Sequence, residues 1–434
     1  MKIIVMGAGV VGVTTAYFLA KSGHQVIVLE KNAASSLGCS YANGGQLSYS
    51  HIDPWASKSA LKMIAKSIII PNSFLSIKKF ANKDFLKWGC AFLKNCNEEK
   101  FLTNSKKLFS LGKCSRKALA EILNDEPSIK FNYNETGILH FYQNAKAFEI
   151  AIKNAEMQQS LGIKLHILNR DECLKKEPTL VKLYDENKLL GGIFYDDDAS
   201  GNSLLFTKSL EKICQEKYGV IFEYNAEVKN IFTNYSKITG INTSRGVFTA
   251  DKYIYALGAY GDKLLKGVKI DPKIYPLKGH SLSIEANEEF IAPAIALTDS
   301  ENKIVYSRIG DIFRAAGAVE IGGAKTTKNN SQINFIKSKI KSSFSDFGNV
   351  NKAQEWFGFR PFRPNSIPLI GEVTSYGNLL LNTGHGHLGW TLSFGSAKIL
   401  SDLINGETAR EFVFLAEEFD NVYADQNLNS QGQN

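Results

Sequence analysis

The sequence predicts an α/β fold in which a parallel-sheet domain is interleaved with a second, α+β domain built on a mixed sheet. Three observations predict it. The opening residues run strand, glycine turn, helix and strand without interruption. Strand-period and helix-period segments then keep alternating as far as residue 404. No Pro- or Gly-rich linker divides them, so the domains are not strung as separate beads.

Ile3-Ile4-Val5-Met6 is a short apolar run suited to a buried parallel strand. Gly7, Gly9 and Gly12 form G-x-G-x-x-G directly after it. A helical stretch over 10–22 follows, with Gly23 where a C-terminal cap glycine belongs. Residues 25–29 read as a second buried strand that ends in Glu30. This order makes a Rossmann-like nucleotide unit. Gly7 permits the tight turn, Gly9 lets a pyrophosphate approach the backbone, and Gly12 lets the helix pack close to the sheet. The helix start offers free N–H groups and the positive end of its dipole to phosphates. Glu30 can accept hydrogen bonds from ribose hydroxyls, and its charge disfavours a 2′-phosphate. The uncharged run over 3–20 is not read as a signal peptide, because of its glycines and the strand that follows at once.

The chain has 434 residues, 44% hydrophobic and 22% charged, with net charge +8. That fits a soluble enzyme of two or three domains, expected in the cytoplasm, whose modest positive charge suits contact with an anionic surface. No basic block interleaved with aromatics suggests nucleic acid. Cys39, Cys90, Cys96, Cys114, Cys173 and Cys214 form no C-x-x-C and no zinc spacing with histidine, so they read as reduced thiols and no metal is expected.

Residues 31–50 form a long loop rich in Ser, Gly and Asn, read equally as a cofactor contact or a surface loop. Helices are predicted over 55–66, 80–93 and 104–123 from apolar spacing of three and four. The stretch 62–80 mixes lysines with large apolar residues. It is read first as core-facing helices with a solvated lysine face, and second as an interfacial membrane segment. A strand over 137–142, a helix over 145–161 and a strand over 191–195 follow, then the acidic turn Asp196-Asp197-Asp198, read as solvated. A helix over 203–218 and strands over 220–224, 226–231, 237–243, 246–250 and 252–257 lead to Gly258, a second glycine placed to approach the same nucleotide. Short strands fill 270–350, with one helix at about 332–344, and a last helix is predicted over 391–404.

Two late stretches stand out. In Gly358-Phe359-Arg360-Pro361, the proline stiffens the backbone that carries a guanidinium fork suited to a carboxylate; the bland reading is a surface arginine. Asn382-Thr383-Gly384-His385-Gly386-His387-Leu388-Gly389 is a glycine-rich turn before the last helix, a second anion site. Its histidines lack a neighbouring carboxylate and read as structural or cofactor-side groups.

Together these motifs resemble the D-amino-acid oxidase (DAO) family of FAD-dependent amine oxidoreductases. Within it, the chain more closely resembles the small subunits of bacterial D-amino-acid dehydrogenases. That similarity runs through Ser40-Tyr41-Ala42-Asn43-Gly44-Gly45-Gln46-Leu47-Ser48, Pro54-Trp55, Leu86-Lys87-Trp88, Leu93-Lys94-Asn95-Cys96-Asn97, Tyr275-Pro276-Leu277-Lys278-Gly279 and Leu381-Asn382-Thr383-Gly384-His385-Gly386. The resemblance spans almost the whole chain. It implies an FAD domain over 1–52, 198–268 and 356–420, a substrate domain over 53–197 and 269–355, and a tail over 421–434. It implies non-covalent FAD with Gly7, Gly9, Gly12, Glu30 and Lys31 around the adenosine diphosphate, and the Val228 backbone at the adenine. Ser40, Asn43, Gly44 and Gln46 fall near the flavin, and Gly384, Gly386, His387 and Leu388 at its ring. Arg360 falls on the family's substrate-carboxylate arginine, with His280, Arg308 and His387 expected in the substrate pocket. His280 stands where the dehydrogenases usually carry tyrosine, and Asp197-Asp198-Ala199-Ser200-Gly201-Asn202 departs from a more acidic pattern.

The implied activity is oxidative deamination of a D-amino acid such as D-alanine to a 2-oxo acid and ammonia. Hydride passes from Cα to flavin N5, and electrons go on to a quinone or another acceptor. Peripheral contact with the inner face of the cytoplasmic membrane would suit a quinone. Two alternatives stay open. One is oxidation of another amine, such as hydroxyproline, sarcosine or glycine. The other is a flavin-binding subunit without chemistry, which Arg360 argues against.

Overall fold

A computed structural model describes residues 1–69, 73–77, 83–160, 162–286, 292–322, 327–345 and 349–407. Its organising layer is a six-stranded sheet in the order Leu369–Val373, Tyr376–Thr383, Lys252–Tyr255, Lys2–Met6, Gln25–Leu29, Ile221–Glu223. All neighbours are parallel except the first two. Ile3, Ile4, Val5 and Met6 are fully buried, as an apolar run covered on both sheet faces requires. One face packs against helices Val10–Lys21, Glu98–Asp125, Ser203–Glu216 and Gly389–Ile404. The other is covered by the antiparallel strands Val228–Asn234, Lys237–Thr243 and Gly246–Phe248.

The second layer is a nine-stranded mixed sheet. Its path runs Gln354–Phe362, Tyr275–Glu285, Ile312–Ile321, Ile304–Ile309, Ala296–Asp299, Ile138–Tyr142, Gly191–Tyr195, Leu165–Asn169, and Leu75–Ile77 adds to Ile312–Ile321. Helix Asn330–Ser343 packs on one face. The fold class read from the sequence is thus observed, with two sheets drawn from alternating parts of the chain.

Several boundaries differ. The helix expected at 104–123 runs Glu98–Asp125, because the Asn97 side chain accepts the Lys100 N–H and two glutamates favour the first turn. Helices Arg170–Lys176, Val181–Asp185 and Asp262–Gly267 are too short for a periodic signal. The acidic turn is not wholly solvated: Asp198 is buried and accepts the Ser50 N–H at 2.7 Å. Burial, its main influence, pushes its carboxyl up to about 7. In the stretch 62–80, helix Lys58–Ile69 turns Leu61, Met63 and Ile64 onto a core cluster, and Leu75–Ile77 is a strand. Lys78, Lys79 and Phe80 lie outside the described residues, as does the tail at 421–434. Among the described residues no helix is long and apolar enough to cross a membrane, and no cluster of metal-binding side chains occurs.

Candidate functional site

Strand Lys2–Met6 ends at Gly7, whose φ of +105° and close fit exclude a side chain: a Cβ there would lie 2.7 Å from Ala256 O. Gly12 is also set by packing, since its Cβ would come 1.9 Å from Gly7 O. Gly9 is different. A Cβ on it would meet only Ser40 Oγ, at 3.5 Å, so no protein group requires glycine there. The space over Gly9 opens at the start of helix Val10–Lys21, which has no cap from an N-cap side chain. Ser40 Oγ accepts the Val10 N–H at 3.0 Å. Gly258, at φ +59°, likewise faces open space, beyond the end of the neighbouring parallel strand. Ser36 is held at φ +64° with its buried Oγ unpartnered. Open backbone at a helix start, at the carboxyl ends of parallel strands, beside an orphaned hydroxyl, fits a dinucleotide pyrophosphate.

Glu30 closes this end. Its carboxylate accepts the Ala8 N–H at 2.9 Å, the Asn32 N–H at 2.9 Å and the Asn32 side-chain amide at 2.6 Å. A carboxylate has about four acceptor positions, so one remains for a hydroxyl. Lys31 sits 3.8 Å over the Tyr260 ring. Val228 lies two residues after Ala226, whose N–H donates to Glu30 O at 2.8 Å.

The loop after Lys31 spans the gap between the two sheets and is tied down at many points. Ser203 Oγ donates to Ser40 O at 2.6 Å, and Asn43 donates back to Ser203 Oγ at 2.7 Å. From the nine-stranded sheet, Ser281 Oγ donates to Ala42 O at 2.7 Å and Ser307 Oγ to Gly44 O at 2.8 Å. Buried Arg314 bonds Ser283 Oγ at 3.1 Å and Asn43 O at 3.4 Å, and burial pulls its guanidinium down to about 10. Gln46 is joined to Thr298 Oγ1 at 3.2 Å and to Leu297 O at 3.0 Å. Trp390, in the first turn of the last helix, donates to Gly45 O at 3.3 Å. These ties make residues 40–48 a braced wall, not a free surface loop.

Arg360 lies on the edge strand Gln354–Phe362, where the missing N–H of Pro361 costs no ladder bond. It pairs with Leu277, and Gly279 pairs with Gly358, so its guanidinium lies across the Gly279 backbone; a Cβ on Gly279 would come 2.6 Å from Arg360 Cζ. Arg360 makes no hydrogen bond or ion pair among the described residues. Burial lowers its pKa, and the nearby Cys39 thiol, itself pushed up to about 11 by burial and so uncharged, supplies no counter-charge. His387, after the turn at Gly384 and Gly386, stacks on Phe362 with centroids 5.6 Å apart. The residue is exposed. Surrounding protein lowers its imidazole pKa, with Arg360 and His51 adding to the effect. Leu388 is buried below it, and His385 bonds Ser396 Oγ at 3.1 Å.

Two expected pocket residues stand apart. His280 pairs with Phe357, one position out of phase with Gly279 and Arg360, so it points to the opposite sheet face. There it is buried with Nδ1 3.1 Å from Ala318 O. Arg308 is exposed and donates to Gly310 O at 3.3 Å. It alternates with Val305, Ser307 and Ile309, which face the Gly44–Gly45 turn, so it points away. The sequence reading passed over Ser281, Ser307 and Thr298, whose alternation on neighbouring strands was the available signal, and over His51 and His140, which carried none.

The family model for DAO, "FAD dependent oxidoreductase", matches residues 2–403. The D-amino acid dehydrogenase of Paramagnetospirillum magneticum is 36% identical over 407 residues, 94% of this chain and 95% of that one. That of Vibrio vulnificus is 33% identical over 407 residues, covering 94% and 96%. Among solved structures, glycine oxidase from Bacillus cereus superposes with TM-score 0.71 at 22% identity, covering 94% of this chain and 95% of that one. L-proline dehydrogenase from P. horikoshii gives 0.68 at 16%, covering 94% of each. The last two share the fold.

Proposed function

We propose, from the premise that this chain belongs to the DAO family of FAD-dependent oxidoreductases, that it is a D-amino-acid dehydrogenase with Arg360 as its substrate anchor. One observation carries the reading: a half-buried guanidinium that has no hydrogen-bond or ion-pair partner among the described residues. A half-buried cation without a partner is well placed to take an anion, and an amino-acid carboxylate supplies it with a bidentate fit.

Gly7, Gly9, Gly12, Glu30, Lys31 and Gly258 would hold the adenosine diphosphate of FAD, with Val228 near the adenine. The wall from Ser40 to Gln46 and the turn from Gly384 to Leu388 would hold the flavin. When bound, FAD supplies the two-electron acceptor for the substrate Cα–H bond. Arg360 fixes the carboxylate, and so decides which face of Cα is presented. The lowered pKa of His387 favours its neutral form, which adds no charge that would repel the amine. The loop ties hold the wall still while the substrate changes. The imino acid released hydrolyses in water to a 2-oxo acid and ammonia.

Electrons would leave to a quinone or another carrier, from a protein in the cytoplasm or resting on the inner membrane face. The inward packing of Leu61, Met63 and Ile64 favours the core-facing reading of their helix over membrane contact. The division into an FAD part (1–52, 198–268, 356–420) and a substrate part (53–197, 269–355) is supported by sheet membership. Moving the last boundary past Phe362 keeps strand Gln354–Phe362 whole. The test is anaerobic: D-alanine should bleach the bound flavin and L-alanine should not. A protein bleached by glycine, sarcosine or L-proline but by no D-amino acid would replace this substrate with another amine.

A further inference from the structure

We propose that His51, His140 and Tyr195 form a subsite that receives the substrate's side chain and selects a neutral, hydrogen-bonding one, an amide or hydroxyl. The inference rests on the D-amino-acid reading above and adds the class of side chain.

The sheet places this cluster beside the flavin wall. Thr298 pairs with Val305 on one side and with His140 on the other. Thr298 bonds Gln46, and Val305 packs against Gly44, where a Cβ would come 2.5 Å from its methyl. His140 therefore lies one strand beyond the groups that touch the wall. His51 follows that wall in sequence, and its ring meets His140 edge-on with centroids 4.5 Å apart. Tyr195 OH lies 3.3 Å from His51 Nδ1 and donates to Gln158 at 3.0 Å.

The cluster has unused hydrogen-bonding capacity. His140 is 4% exposed, and its Nε2 is buried with no partner. A buried polar atom left alone is costly unless a ligand satisfies it. Burial keeps this imidazole neutral, with His51 and Lys303 reinforcing the effect. A neutral ring offers one donor and one acceptor, the complement of an amide. A carboxylate side chain would meet Asp53, whose oxygen lies 3.8 Å from His51 Nε2. An ammonium would face the fields of Arg360 and Lys303, which reach His387 and His140. A purely apolar side chain would leave Nε2 unsatisfied.

The test compares D-asparagine with D-leucine, which is close in shape and cannot hydrogen-bond, and with D-aspartate and D-alanine. Dye-coupled kcat/KM is measured on the FAD-loaded enzyme and on His140→Leu. Wild type should favour D-asparagine over D-leucine and D-aspartate by about tenfold or more. His140→Leu should erase the preference over D-leucine, with D-alanine within about twofold of wild type. Tyr195→Phe and His51→Phe read the same ratio should His140→Leu lose its flavin. D-leucine matching D-asparagine in wild type, or an equal loss on every substrate in the variants, overturns the subsite. No turnover of D-alanine by wild type overturns the D-amino-acid reading itself, and the subsite with it.

Discussion

Gly279→Ala should damage catalysis without touching a charged group. The new methyl would sit 2.6 Å from Arg360 Cζ and 2.7 Å from its Nη2. Ordinary contact needs about 3.5–4 Å, so the guanidinium must move by roughly 1 Å. It is the far end of a flexible side chain with no protein partner, so it yields and the strand does not. A misplacement of about 1 Å costs on the order of 100-fold where orientation matters, so kcat/KM for D-alanine should fall about 10- to 100-fold. Arg360→Ala removes the anchor outright and should cost about 3–5 kcal/mol in kcat/KM, some two to four decades. The decisive assay is the double mutant. If Gly279 acts only through Arg360, adding Gly279→Ala to Arg360→Ala changes kcat/KM no further. Flavin content should stay near wild type in all three. Additive losses, or a Gly279→Ala enzyme with wild-type kcat/KM, would refute the reasoning.

Other expectations follow from the same geometry. Arg360→Lys should recover only part of the loss, since an ammonium cannot reproduce a bidentate fork; kcat/KM checks it. Glu30→Ala should weaken FAD binding by about 1–3 kcal/mol, read by titrating apoprotein with FAD, because Ala8 and Asn32 lose their acceptor along with the ribose. Asp198 has its carboxyl raised to about 7 in the fold against a usual value near 3.8. The unfolded chain therefore ionises first, and stability present below pH 4 is lost as pH rises to about 7, by on the order of 4 kcal/mol. Asp198→Asn keeps an acceptor for the Ser50 N–H, so its Tm should vary less than wild type between pH 4 and 7. An unchanged pH dependence would remove Asp198 as the cause.

The nucleotide end was legible because its pattern is local. Gly7, Gly9, Gly12 and Glu30 are fixed by a strand, a turn and a helix that follow one another directly. The strand that carries Arg360 was marked by Gly358 and Pro361. His280 was not legible, since its face depends on pairing with a strand some eighty residues away and on a bulge between Gly279 and His280. Arg308 failed for the same reason, as one step along a strand reverses a side chain. Asp198 was read as solvated because three adjacent acids suggest a surface, while the Ser50 backbone that buries it is distant in sequence. His140 sits in the run Gly137-Ile138-Leu139-His140-Phe141-Tyr142, where nothing distinguishes an unsatisfied imidazole from an ordinary strand residue.

The six-stranded sheet also sets an order of events on the ribosome. Its centre, Lys2–Met6, is made first, but one neighbour is Lys252–Tyr255 and the layer beyond is Tyr376–Thr383. Strand Lys2–Met6 therefore waits for Lys252–Tyr255 and then Tyr376–Thr383 before its sheet can close. Pairings this distant in sequence form slowly and leave strand edges open meanwhile. The glycine turn at Gly7 is translated long before Gly258, and Gly258 long before the turn at Gly384, so a nucleotide site built from all three would be complete only after the strand Tyr376–Thr383. A chain stopped before residue 369 would lack the sheet's hairpin and the helix that covers it, and should emerge colourless and prone to aggregate.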